Sequence, residues 1–179
     1  MRIIGVTGKS GAGKSTFAYQ LCKMSQGIVH IDVDEIGRKA LQLPHVVKEL
    51  IRLFGDDIVD KEGHIKTNKL GDIVFNNRDR YKEIKGIIWP IIEDMIDLRL
   101  ENYIGNKTII IDWILLPKTK YFSCCDVKYL VKREKSVRME SVLARDKITV
   151  EQFELREKNS IEYLDCDFDN IVINTGRTL

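Results

Sequence analysis

Two patterns of apolar residues alternate along this chain. Short, nearly continuous runs such as "RIIGV", "TIIID" and "NIVI" suit strands covered on both faces. They predict strands at Arg2–Val6, Gly27–Ile31, Lys107–Asp112, Val127–Val131 and Asn170–Ile173. Between them apolar residues return every three or four positions, which predicts helices at Lys14–Met24, Val33–Leu41, Val46–Phe54, about Asp79–Tyr103, and Ser136–Tyr163 in two pieces. In the long helix Tyr81, Ile84, Ile87, Ile88, Ile91, Met95 and Ile96 form a core-facing stripe. Pro90 is expected to break or kink it, because proline lacks the N–H and crowds the preceding turn.

Strands separated by helices are the signature of a parallel sheet with crossover helices, so the fold class is α/β with a central parallel five-stranded sheet flanked by helices. No repeat, low-complexity segment or linker divides the 179 residues, which suit one domain. Its core is expected from residues 1–32, 107–132 and 164–179. The gap over residues 33–106 is too long for one crossover and predicts a helical insertion that binds an acceptor. A second helical excursion, residues 133–163, is rich in arginine and glutamate and suits a mobile lid.

Charge adds little: 29 basic against 27 acidic residues gives +2, so nothing in the bulk composition points to nucleic acid or a membrane surface. Cys22, Cys124, Cys125 and Cys166 form no C-x-x-C pair, and with three histidines they make a poor zinc set; buried free thiols in a reducing cytosol are expected. No run approaches the ~20 apolar residues of a membrane span, and the start lacks a signal-peptide layout, which predicts a cytoplasmic protein.

The chemistry begins directly after the first strand, at Gly8-Lys9-Ser10-Gly11-Ala12-Gly13-Lys14-Ser15. Gly8, Gly11 and Gly13, with Ala12 between them, let the backbone turn tightly and aim several N–H groups inward, and the next helix points its positive end at the same spot. Lys14 reaches the β- and γ-phosphates as a point charge, the Ser15 hydroxyl joins a Mg²⁺ shell, and Thr16 reaches an α-phosphate. Strand, loop and helix in that order predict a bound nucleoside triphosphate.

Asp112 ends the strand "TIIID", where it either holds Mg²⁺ through water or caps the following helix. "HIDVDEIGR" closes the second strand with Asp32 and Asp34, and Arg38 follows one helical turn after Asp34. Ligands of open α/β sheets lie beyond the carboxyl ends of the strands. A carboxylate there accepts an acceptor hydroxyl's proton, and the arginine holds an acceptor phosphate; the competing role for Asp34 is a helix cap. The excursion carries Lys132, Arg133, Arg138, Arg145, Lys147 and Arg156. Most read as a solvated helix face, and Arg145 and Arg156, flanking the "DKIT" turn, are the choices to close over a transferring phosphoryl group.

The succession "GVTGKSGAGKST", "HIDVDEIGR", "FGDDIVDKEGHIKTNKLGDIVF", "WPII", "ARDKIT" and "DNIVINTG" resembles bacterial dephospho-CoA kinases in order and spacing over nearly the whole chain. The resemblance implies a three-layer P-loop kinase fold with core, lid and acceptor-binding parts. It implies transfer of the ATP γ-phosphate to the ribose 3′-hydroxyl of dephospho-CoA, the last step of coenzyme A synthesis, with ATP and Mg²⁺ as cofactors. It makes Lys14, Ser15 and Thr16 triphosphate and Mg²⁺ ligands, Asp34 the base, Arg38 an acceptor contact, Arg145 and Arg156 lid arginines, and Asn174 with Gly176 the turn beside the adenine. The chain departs from the family pattern at Thr67, in place of an arginine, at Trp89, in place of a histidine, and at Lys118, in place of a glutamate. A nucleoside or nucleoside monophosphate acceptor and a non-catalytic nucleotide binder are the competing readings. Direct in-line transfer is the expected mechanism, since no side chain pairs with a base as a nucleophile should.

Overall fold

A computed structural model of the chain describes residues 1–75, 77–103, 105 and 107–176, with Phe75 described through its backbone alone. Positions 76, 104 and 106 of the expected insertion, and 177–179 of the expected core, lie outside the described residues. Five strands, β1 (Arg2–Thr7), β2 (Ile28–Asp32), β3 (Thr108–Asp112), β4 (Val127–Lys132) and β5 (Asn170–Ile173), form one sheet in the order β2-β3-β1-β4-β5. Every adjacent pair is parallel. Three strands run one residue further than their apolar runs suggested. Ladders are made by backbone groups, so Thr7 still pairs with Leu130, Asp32 with Asp112 and Lys132 with Ile173.

The most apolar run takes an inner position: Ile109, Ile110 and Ile111 of β3 are fully buried, as is Val6 of β1. β5 lies at the edge, and Ile171 and Ile173 remain more than half exposed. The chain leaves central β1 for β2 on one side and later crosses to β4 on the other. The crevice at such a reversal is where open α/β sheets bind ligands, and the glycine-rich loop follows β1 directly.

Eight α-helices are described: α1 (Lys14–Met24), α2 (Val33–Ala40), α3 (Pro44–Phe54), α4 (Thr67–Phe75), α5 (Arg78–Glu101), α6 (Lys120–Ser123), α7 (Lys135–Asp146) and α8 (Val150–Lys158). α3 begins two residues before its expected start, with Pro44 in the first turn, where its missing N–H costs nothing. The break expected at Pro90 does not occur: α5 runs through it as one helix of 24 residues. The ring and the missing donor both concern the carbonyl four residues back. That residue is Gly86, which is exposed, so the carbonyl left without its donor can be met by water. α7 and α8 are the two expected pieces, divided at Lys147, which turns left-handed with φ 53°. A reciprocal cap opens α8: Thr149 accepts from the Gln152 N–H while the Gln152 side chain accepts from the Thr149 N–H.

The chain groups into two compact units, one of Met1–Asp32 with the stretch from Leu100 onward, the other of Val33–Arg99. In the first, Val6, Ala12, Ala18, Ile110 and Val131 form the core that seats α1 on the sheet. Val142, Ile148 and Phe153 make a smaller cluster joining α7 and α8. In the second, Val46, Leu50, Ile58 and Ile96 are fully buried. All four cysteines are free, but the expectation of burial holds only for Cys125; Cys124 is exposed and the other two lie between. Burial pushes the Cys125 thiol up to about 12, leaving it chemically quiet.

Candidate active site

Two glycines show how the loop after β1 is built. Gly13 caps the start of α1 at φ 95°, and an added Cβ would collide with the Asn174 amide. At Gly11, φ 76°, a Cβ would come within 2.7 Å of the Arg138 carbonyl oxygen. Backbone geometry and neighbours both demand glycine here.

The loop's carbonyls are drawn off by side chains. Asn174 Nδ2 donates to the Ala12 carbonyl at 2.9 Å and Arg138 donates to the Ser10 carbonyl at 3.2 Å, while the Ala12 N–H bonds the Lys9 carbonyl at 3.1 Å. No side chain caps the N-terminus of α1. The first-turn N–H groups of α1 and its positive end therefore remain for an anion. Lys14 adds a full charge: it is only 8% exposed and has no ion pair or hydrogen-bonded side-chain partner among the described residues. A buried ammonium ordinarily requires a counter-charge. Thr16 is exposed in the first turn of α1.

Beside the lysine, Ser15 Oγ donates to Asp112 Oδ2 at 2.7 Å. Asp112 is 2% exposed, and its carboxylate caps no helix among the described residues. Side chains two residues apart on a strand share a face. Register therefore puts His30, Asp32, Ile110 and Asp112 on one face, and Ile110 packs in the core with Ala18 of α1. Asp32 sits half-buried opposite Asp112, and His30 Nε2 lies 3.3 Å from Asp112 Oδ2. A hydroxyl and a carboxylate beside a phosphate cradle fit Mg²⁺, which takes one or two protein oxygens and completes its shell with phosphate and water. Among the described residues no group of three or more His, Cys, Asp or Glu could hold a metal alone.

The helices after β4 meet the loop through one buried cation. Arg138, 5% exposed, donates to both oxygens of Glu157 at 2.7 and 3.0 Å and to the Arg133 carbonyl at 3.2 Å. Glu157 also accepts from Lys9 at 3.1 Å, and Lys9 from the loop reaches Glu162 at 2.8 Å. Hydrogen bonding from Arg138 holds the Glu157 carboxyl below its ordinary range. Burial works against the Lys9 ammonium, but hydrogen bonds to Glu162 and Glu157 outweigh it and raise its pKa. A cavity of about 340 Å³ opens here, its walls including Lys9, Lys132, Arg133, Lys135 and Arg138 against the one carboxylate of Glu162. Lys9 and Arg138 are paired with Glu157 and Glu162, and Lys135 with Glu154, so among the described residues Lys132 and Arg133 carry the positive charge that remains to attract an anion.

Arg145 and Arg156 converge on one carboxylate. Arg145 Nε donates to Asp146 Oδ1 at 2.7 Å and Arg156 donates to Asp146 Oδ2 at 3.3 Å. Arg145 also reaches Ser10 Oγ at 3.4 Å. Asn174 accepts the Gly176 N–H at 2.9 Å, so the turn after β5 braces the loop besides bordering it.

In the second unit Asp34 lies in the first turn of α2, with Arg38 a turn later, both exposed. Val33, Ile36 and Ala40 bury the other face, and a 2.6 Å Glu35–Lys39 pair flanks them. On α5, Lys85 Nζ sits 4.1 Å from the Trp89 ring centroid and Trp89 Nε1 donates to Glu93 at 3.0 Å. Thr67 opens α4; Lys118, in the first unit, is exposed in a 3₁₀ turn.

Three residues escaped the sequence reading. Arg138 was assigned to a solvated face, yet it is the most buried of the excursion's cations; its partner Glu157 lies 19 positions away on another helix. His30 had a usable signal, since it precedes Asp32 by two residues on a strand and must share its face.

A family model for dephospho-CoA kinase matches residues 2–167. A dephospho-CoA kinase of Fusobacterium nucleatum subsp. nucleatum is 34% identical over 149 residues, covering 83% of this chain and 76% of that protein. One from Staphylococcus aureus is 27% identical over 182 residues, covering 99% and 87%. Among solved structures, TT1252 from Thermus thermophilus superposes with a TM-score of 0.78 at 25% identity, covering 98% of this chain and 89% of that one. The dephospho-CoA kinase from Campylobacter jejuni gives 0.60 at 24% identity with the same coverage, a likeness of fold.

Proposed function

The chain belongs to the dephospho-CoA kinase family, and on that premise we propose that it transfers the γ-phosphate of ATP to the ribose 3′-hydroxyl of dephospho-CoA. The observation that carries the nucleotide half is Lys14, a buried cation without a counter-charge among the described residues, at the mouth of a loop whose carbonyls are turned away.

The reaction is a direct in-line displacement. The 3′-oxygen bonds to the γ-phosphorus while the bond from that phosphorus to the β,γ-bridging oxygen breaks; the electron pair leaves with ADP. Gly8, Gly11, Ala12 and Gly13 line the phosphates; the Ala12 N–H is held by the Lys9 carbonyl, so the other loop N–H groups and Lys14 meet the charge that develops on them. Ser15 and Asp112 hold Mg²⁺, which when bound neutralises charge on the β- and γ-oxygens. Thr16 takes an α-phosphate oxygen. Asp34 accepts the hydroxyl proton, a role worth roughly 10²–10⁴ in rate, while Asp32 and Arg38 fix the acceptor. Arg145 and Arg156 close from the lid by exchanging Asp146 for phosphate oxygens, and Asn174 with Gly176 borders the adenine. Four free cysteines suit the reducing cytoplasm as the working compartment.

The test is ADP release, coupled to a dehydrogenase, with Mg²⁺-ATP and a panel of dephospho-CoA, nucleosides and nucleoside monophosphates. Turnover on dephospho-CoA alone is the expected result. Turnover on a nucleotide instead would overturn the acceptor and make Thr67, Trp89 and Lys118 marks of a changed specificity. ATP binding with silence on every acceptor would overturn the enzyme assignment.

A further inference from the structure

Asp112 Oδ2 receives two hydrogen-bond donors. Ser15 Oγ reaches it at 2.7 Å from α1, and His30 Nε2 lies at 3.3 Å from β2. An ionised carboxylate offers no proton, so Nε2 must carry one for this contact to be a hydrogen bond. We propose that His30 is a positioning residue for the metal–nucleotide complex. It fixes the rotation of the Asp112 carboxylate so that Oδ2 stays on the Ser15 hydroxyl and the other oxygen stays available to the metal's water shell. This rests on the nucleotide-and-Mg²⁺ reading above.

Three features support the role. Register pairs Asp32 with Asp112, so two carboxylates stand side by side on one sheet face, and His30 is the neighbouring donor on that same face. Asp112 is almost wholly buried whereas His30 is about one-fifth exposed, so the carboxylate has few other groups to orient it. With its proton given to Asp112, the Ser15 hydroxyl keeps its lone pairs for a cation, and that arrangement lasts only while the carboxylate cannot turn away. Donors behind a metal ligand typically change metal affinity 10–100-fold when removed.

The experiment measures Mn²⁺ binding to the full chain with saturating ADP, following free Mn²⁺ by electron paramagnetic resonance. ADP affinity in the presence of a chelator serves as the metal-free reference. His30→Val suits a strand but removes the donor; His30→Gln keeps an N–H near the Nε2 position. The expected result is Mn²⁺ affinity about tenfold weaker in His30→Val, near wild type in His30→Gln, and unchanged metal-free ADP affinity in both. Wild-type Mn²⁺ affinity in His30→Val, or equal losses in both variants, would overturn the proposal. Equal losses of metal-free ADP affinity would overturn it too, since they would mark a general structural role. If His30→Val does not fold, His30→Asn, whose amide is too short to reach Asp112, takes its place with the same expectations. A wild-type protein that binds no ADP would sink the nucleotide reading and this inference with it.

Discussion

Lys14 sits where folding and function pull in opposite directions. Its ammonium is buried without a counter-charge among the described residues, and such a group costs free energy until an anion arrives. Lys14→Met keeps the length of the stem and removes the charge. The ligand-free protein should then melt higher, by on the order of 1 kcal/mol of stability, while ADP affinity falls at least a hundredfold, on the order of 3 kcal/mol. Thermal melts and titration calorimetry on the same preparation test this, and a lower melting temperature for Lys14→Met would show that the lysine is already satisfied in the empty protein. The glycine loop and the Lys14-Ser15 start of α1 were legible in the sequence because they are local, eight consecutive residues that follow a strand and run into a helix. The residues that brace them were not. Arg138 reaches Ser10 across 128 positions and His30 meets Asp112 across 82, distances at which only the finished fold decides who touches whom.

Among the elements, the strands were the most legible, since short apolar runs rich in β-branched residues favour strands, at the edge in β5 as at an inner position in β3. α4 was missed, although Leu70 and Val74, four residues apart, are both buried. α5 runs through Pro90 with an exposed glycine one turn earlier, where the carbonyl that loses its donor is open to water. Glu157 adds a charged link between α7 and α8 to the apolar cluster that joins them, and it gives the pH dependence its sign. Hydrogen bonding from Arg138 depresses the Glu157 pKa in the folded state. The stability it contributes is therefore fully present above the ordinary glutamate value, about 4.3, and is lost as pH falls through the depressed folded-state value. Glu157→Ala leaves Arg138 buried without its carboxylate, and breaking such a pair costs on the order of 3 kcal/mol. The gap in melting temperature between Glu157→Ala and wild type should be wide at neutral pH and close in acid below that folded-state value. A gap independent of pH would mean that packing, not charge, joins the two helices.

At the scale of the molecule, an α/β class with one parallel sheet followed from the alternation of elements, but the order β2-β3-β1-β4-β5 did not. Periodicity says which residues face a core and is silent on which strand lies beside which. The roles proposed above draw the nucleotide contacts from Met1–Asp32 with the stretch from Leu100 onward, and the acceptor's base and arginine, Asp34 and Arg38, from Val33–Arg99. Hydrogen exchange tests this assignment directly. Ligand at a hundred times its Kd stabilises the state that binds it by about 2.7 kcal/mol, enough to slow exchange up to about a hundredfold where opening must release the ligand. Mg²⁺-ADP should slow amides in residues 8–16 and in the α7 and α8 segments, through Arg138 and Glu157, and leave α5 near its free rate. Adding dephospho-CoA should extend protection to α2, where Asp34 and Arg38 lie. If ADP alone protected α5 as strongly as the loop, nucleotide would be held by both units, and the acceptor would have to bind a protein already ordered throughout. If dephospho-CoA protected nothing in residues 33–99, the base and the acceptor arginine would have to be sought in the first unit, with Asp32 the carboxylate to examine.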